Sequence, residues 1–226
     1  MVQFTINADN YVCDIATGQA STRIIYLIYP AIKSFPDGWL ENMASEFNVT
    51  LAAIYIPAGE WNNSLTPWPE AGETPASPPF GGQAEIFLGK LKTDIIPAVE
   101  KAAGLTGVSR RDLIGVSLSG LFTLWQWLLD DTFHSIGCLS GSFWYAGFMD
   151  WFNARSIPRK QGSAYFLLGT EEPKAYIKAY RTVGTNTVGI VNRLQSAGIP
   201  TTFQWVPGNH FADPLPRAMR AIKALA

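Results

Sequence analysis

Short apolar runs separated by longer amphipathic stretches recur along this chain, and that alternation limits the fold more than any other feature. The runs at 24–29, 51–56, 113–116, 136–139, 165–168 and 202–206 have strand length and are largely apolar, as strands buried on both faces are. Helix-like stretches at 38–47, 83–103, 118–129, 173–197 and 211–225 lie between or after them and supply the crossovers that parallel strands require. The connection after residue 139 is shorter, and 148–152 reads as a brief helix. An α/β fold follows, with a mostly parallel central sheet covered by helices on both faces. Near the start, 2–6 and 11–14 flank the turn cluster Ala8-Asp9-Asn10 and read as a hairpin feeding an antiparallel edge.

The 226 residues fit one domain spanning 1–226, since single cores grow to roughly 250 residues before they split. With 47% hydrophobic and 15% charged residues the chain is too apolar to stay unfolded. A net charge of -1 without a lysine or arginine cluster excludes the basic field that collects nucleic acid. Cys13 and Cys138 read as reduced core residues, and the 2 histidines have no zinc-site spacing, so neither metal nor cofactor is expected. Met1-Val2-Gln3-Phe4-Thr5 lacks the pattern of a secretory signal, and no run reaches the ~18 apolar residues of a membrane span. A cytoplasmic protein is the expectation. The stretch 58–82, rich in proline and glycine, reads as a long loop; Trp61, Trp68 and Phe80 within it argue for a packed role as a lid or a substrate-lining segment.

The segment Asp112-Leu113-Ile114-Gly115-Val116-Ser117-Leu118-Ser119-Gly120-Leu121-Phe122 carries an apolar strand through small residues into an apolar helix. That is the setting of a nucleophile elbow, where a serine on a tight turn is pushed above the sheet and the residues two before and two after it must be small. Gly115 and Ser119 are small, although strict G-x-S-x-G has glycine where Ser119 stands. Ser117 would also stand at a helix N-terminus, where unpaired N–H groups favour developing negative charge. The plainer alternative is that Ser117 only caps that helix.

A serine hydroxyl needs a base within hydrogen-bond reach. His210, in Pro207-Gly208-Asn209-His210-Phe211, follows the last strand and lies at the carboxyl edge of the sheet; His134 precedes a strand and falls at the opposite edge. The imidazole in turn needs a carboxylate on a neighbouring strand end. Thr170-Glu171-Glu172 leaves the 165–168 strand, and Glu172 is preferred over Glu171, with Asp213 a more distant alternative. The order Ser117, Glu172, His210 is that of Ser…Asp/Glu…His hydrolases. Oxyanion donors would be the N–H of Leu118 and one after the 24–29 strand, from Ala31 or Tyr29, since Pro30 has none.

On these residues the chain resembles the esterase family of the α/β-hydrolase superfamily that includes enterochelin esterases and S-formylglutathione hydrolases. The likeness rests on Gly115-Val116-Ser117-Leu118-Ser119-Gly120-Leu121-Phe122, Leu139-Ser140-Gly141-Ser142-Phe143-Trp144-Tyr145, Trp61-Asn62-x-x-Leu65-Thr66-Pro67-Trp68-Pro69, Phe80-Gly81-Gly82 and Gly208-Asn209-His210-Phe211, and runs from about Tyr26 onward. It implies an α/β-hydrolase fold and a serine carboxylic-ester hydrolase working through an acyl-enzyme on a small-molecule ester. Ser117 would attack, His210 would move the proton and Glu172 would hold the ring. Lacking a basic cluster for anionic substrates, the chain suits a small, neutral or aromatic ester, with Trp61, Trp68, Trp144 and Tyr145 as candidate contacts; plain core packing is the alternative for each. An acyltransferase with the same triad, or a non-catalytic binding module on the same fold, are the competing readings.

Overall fold

An antiparallel pair, β1 (Gln3–Ala8) and β2 (Tyr11–Ala16), opens the chain and turns through Asn10, whose φ of 67° lies in the left-handed region that asparagine tolerates. This computed structural model describes residues 3–8, 10–19, 22–33 and 35–226, so Val2 and Asp9 of the expected hairpin lie outside the described residues. The chain continues through β3 (Arg23–Pro30), α1 (Trp39–Glu46), β4 (Thr50–Ile56), α2 (Ala58–Ser64), β5 (Pro69–Glu70), β6 (Phe80–Gly81), α3 (Ala84–Lys90) and α4 (Ile96–Ala102). It ends with β7 (Arg110–Val116), α5 (Leu118–Trp127), β8 (Ser135–Leu139), α6 (Phe148–Ala154), β9 (Ala164–Gly169), α7 (Val183–Ser196), β10 (Thr201–Val206) and α8 (Pro214–Leu225).

The main sheet has 8 strands in the order β1-β2-β4-β3-β7-β8-β9-β10. From β4 to β10 every pairing is parallel; β1 and β2 form the antiparallel edge. Side chains alternate between two apolar layers, as the strand period of two demands. Ile24, Tyr26 and Ile28 join the layer under α3 to α7, whereas Ile25, Leu27 and Tyr29 join the layer under α1 and α8. Helix α5 is buried at every position from Leu118 to Trp127, which is why its sequence is apolar all round. In α8 only Arg217, Ala218, Ala221, Ile222 and Leu225 are buried, the stripe of a helix lying on a sheet.

Three expected elements take a different form. The helix expected over 83–103 is split by a wide π-helical turn at Leu91–Ile95, just ahead of Pro97, which has no N–H to continue the ladder. The helix expected from residue 173 begins at Val183, because Pro173 and the extended backbone at Ala175 and Ile177 leave only 3₁₀ turns, Glu172–Lys174 and Lys178–Thr182, before it. The 58–82 stretch carries α2 and the antiparallel β5–β6 pair in place of an unpatterned loop. Thr66 pins it: its hydroxyl donates to the Asn62 carbonyl at 2.7 Å and accepts from the Gly82 N–H at 3.0 Å. Gly82 has φ 68° and runs so close to Trp68 that a Cβ would lie 2.3 Å from the Trp68 carbonyl carbon.

Candidate active site

Strand β3 is followed in the chain by β4 on one side, and the chain later returns to β7 on its other side, so the strand order reverses beside β3. In open α/β sheets the crevice at the carboxyl ends next to such a reversal is where ligands bind. The turns leaving β3, β7, β9 and β10 there carry Ala31, Ser117, Glu172 and His210 respectively.

Ser117 sits between β7 and α5 with φ 58° and ψ -122°, a conformation costing an L-residue about 1–3 kcal/mol. The turn is tight enough to require glycine two residues earlier: a Cβ at Gly115 would lie 2.2 Å from the Ser119 carbonyl oxygen. Ser119 is part of the turn's construction, because its buried hydroxyl accepts from the Val116 N–H at 2.7 Å and donates to the Ile28 carbonyl at 2.7 Å. Ser117 does not cap α5 with its side chain. Its Oγ lies 3.1 Å from Nε2 of His210 and 3.4 Å from the Ser142 hydroxyl.

Nδ1 of His210 lies 2.9 Å from Oε2 of Glu172. Glu171 is exposed, and its N–H binds the Gly208 carbonyl at 3.1 Å, tying the carboxylate turn to the histidine turn. The other Glu172 oxygen, Oε1, accepts from the Gly169 N–H and the Ser140 hydroxyl, each at 2.7 Å, and from Nη1 of Arg217 at 3.2 Å. Burial raises the pKa of Glu172, but hydrogen bonds from His210, Ser140 and Gly169 outweigh it and hold the carboxyl below its usual range. Arg217, only 5% exposed, also donates through Nη2 to the Asn209 carbonyl at 2.8 Å, next to His210.

A two-lobed cleft opens over these groups. The larger lobe, about 640 Å³, is bordered by Tyr29, Ala31, Ile32, Pro78, Pro79 and Arg217 among others. The smaller, about 400 Å³, is bordered by Glu73, Leu118, Ser142, Trp144, Glu171 and Tyr180 among others. Trp61, Asn62, Ser117, His210 and Phe211 border both. Thus the structure brings Ser117, His210 and Glu172 into one hydrogen-bonded row, with Leu118 and Ala31 beside the cleft and Trp61 and Trp144 in its walls. Trp68 and Tyr145 border neither lobe. Nε1 of Trp68 donates to the Ala146 carbonyl at 3.0 Å, and the buried Tyr145 hydroxyl donates to the Trp68 carbonyl at 2.5 Å, so the two brace the wall from behind. His134 lies at the amino end of β8, with Nδ1 3.0 Å from the Ser135 hydroxyl. Cys13 and Cys138 are buried thiols; burial pushes Cys13 up to about 12.

Sequence reasoning missed Arg217, Ser140 and the Tyr29 side chain. Arg217 did leave a signal: it shares the buried face of α8 with Ala221 and Leu225, four and eight residues on, where a charge requires a buried partner. Ser140 and Tyr29 left none.

The sheet order, its helical layers and the elbow at Ser117 define an α/β-hydrolase fold. No protein-family model matches the chain. It is 27% identical over 138 residues to the uncharacterized protein YbbA of Bacillus subtilis (strain 168), a match covering 60% of this chain and about half, 55%, of that relative. Among solved structures it resembles an IroE-like serine hydrolase from Shewanella oneidensis, with TM-score 0.80 and 14% identity over 99% of this chain and 79% of that one. It also resembles the siderophore hydrolase EstB from Aspergillus nidulans, with TM-score 0.72 and 20% identity over 99% and 94% of the two chains. At these identities the likeness is one of fold. Among the described residues, no helix is long and apolar enough to cross a membrane.

Proposed function

We propose that this protein is a serine carboxylic-ester hydrolase that forms an acyl-enzyme on Ser117. The observation carrying the reading is the unbroken path from Ser117 Oγ through both ring nitrogens of His210 to buried Glu172. Nε2 of His210 takes the hydroxyl proton as Oγ attacks the ester carbonyl, and Glu172 stabilises the imidazolium that forms. The tetrahedral oxyanion is held by the N–H groups of Leu118 and Ala31. His210 then passes its proton to the departing alcohol, and a water activated by the same imidazole releases the acid.

The neighbouring EstB is described as a siderophore hydrolase. Among the described residues that border this cleft the one arginine, Arg217, is already bound to Glu172, so the lining favours a small neutral or aromatic ester over an anionic one. Two buried, unpaired cysteines fit a reducing, cytoplasmic setting. Fluorophosphonate labelling and a series of p-nitrophenyl esters of graded acyl length test the assignment. Labelling and turnover that vanish in Ser117→Ala are expected, with water rather than added alcohol as the main acyl acceptor. Folded wild-type protein that neither labels nor turns over esters would return the chain to a binding role.

A further inference from the structure

The larger lobe has a polar floor that the proposed chemistry leaves unused. Tyr29, the penultimate residue of β3, borders this lobe and is 4% exposed. Its ring packs against Phe35 at 4.8 Å between centroids. Among the described residues its hydroxyl has no hydrogen-bond partner. The hydroxyl oxygen itself is not sealed from the lobe, so a ligand atom can reach it. Burial holds its pKa well above the usual value, an effect the nearby Arg217 charge only partly offsets, so it remains a neutral donor. Arg217 borders the same lobe, and its Nε is buried without a partner. The remaining wall is largely apolar, from Pro30, Ile32, Pro78, Pro79, Val116 and Phe211. Ile32 and Phe211 are 78% and 72% exposed, an apolar rim for a ligand to cover.

We propose that this lobe is a subsite for an apolar group ending in a neutral oxygen acceptor, such as an ether or carbonyl oxygen, to which the Tyr29 hydroxyl donates. The inference rests on the ester-hydrolase reading of the same cleft and adds the chemistry of the group that the lobe selects. An acceptor fits because the guanidinium next to the phenol repels the positive end of a donor group. A neutral one fits because the Arg217 charge is already matched by Glu172. An isostere lacking the oxygen would cover that hydroxyl and leave it unpaired, which penalises its binding.

Two series of matched esters test this, each with one to three methylene spacers: ethyl 4-methoxyphenyl- against 4-ethylphenyl-alkanoates, and 4-methoxyphenyl- against 4-ethylphenyl-alkyl acetates. Whichever half enters the lobe, wild-type protein is expected to favour the methoxy member by about fivefold to tenfold in kcat/KM, and Tyr29→Phe to erase that ratio. Equal rates in both series, or a preference that survives in Tyr29→Phe, overturns the subsite. Binding of the same pairs to Ser117→Ala by calorimetry separates the two readings. A methoxy preference in Kd without wild-type turnover keeps the subsite and removes the hydrolase, whereas turnover without any preference does the reverse.

Discussion

Nη1 of Arg217 lies 3.2 Å from Oε1 of Glu172, and both side chains are withdrawn from solvent. One guanidinium therefore fastens the carboxylate turn and, through Asn209, the histidine turn. Removing one member of a buried pair strands the other charge, so Arg217→Met should lower unfolding free energy by about 3–5 kcal/mol and depress turnover as well. Arg217→Lys keeps the charge but loses the fork and should fall between. Urea midpoints of the three proteins check the order; a Met variant as stable as wild type contradicts it.

The acid limb of stability should report Glu172. Its carboxyl titrates lower folded than unfolded, so its ionisation stabilises the fold above the unfolded value of about 4.3. That contribution is lost as pH falls through the folded pKa. Glu172→Gln should be less stable than wild type at pH 7, with the gap closing below about pH 4. Thermal melts across pH 3 to 7 measure it, and a gap that widens on acidification would falsify the sign. Glu171→Gln, on an exposed side chain, should leave stability near wild type.

Turnover should drop by roughly 10⁴ in Ser117→Ala and in His210→Ala, with little change in folding stability. At position 117 the backbone is left-handed, so Ser117→Gly should be inactive yet more stable than Ser117→Ala by about 1 kcal/mol. Kinetics beside calorimetry settle both halves.

Where a stricter elbow has glycine, Ser119 supplies the hydroxyl that satisfies the Val116 N–H. Ser119→Ala should cost about 1–3 kcal/mol by leaving that donor unpaired, and Gly115→Ala should prevent folding or cost more. Soluble yield and denaturant midpoints distinguish these outcomes; a neutral Ser119→Ala would mean another acceptor replaces the hydroxyl.

The aromatic residues separate by what they touch. Trp144 borders the smaller lobe, so Trp144→Ala should raise KM. Tyr145 is buried behind the wall, so Tyr145→Phe should cost about 1 kcal/mol of stability without moving KM.

The inner parallel strands could be read from the sequence because burial on both faces makes each an apolar run that no loop imitates, whereas β10, at the edge, is buried only at Val206. Ser117 and Glu172 were locatable for the same reason, since each follows such a run, and His210 because it follows the last strand. Helix limits were less legible. Pro173 and the extended backbone of Ala175 and Ile177 delay α7 without disturbing its apolar spacing. The turns of 58–82 depend on Thr66 joining Asn62 to Gly82, a tertiary match with no local pattern. Arg217 meets Glu172 across 45 residues of chain, and nothing in either segment names the other.

The strand order also divides labour within the cleft. Ser117, Glu172 and His210 hang from β7, β9 and β10, whereas Ala58, Trp61, Pro78 and Pro79 in the cleft wall belong to the insertion after β4, on the far side of β3. Exchange of that insertion would retune which molecules are admitted while the trio proposed to react keeps its alignment, so this half of the sheet is where new selectivity can be grafted without rebuilding the other.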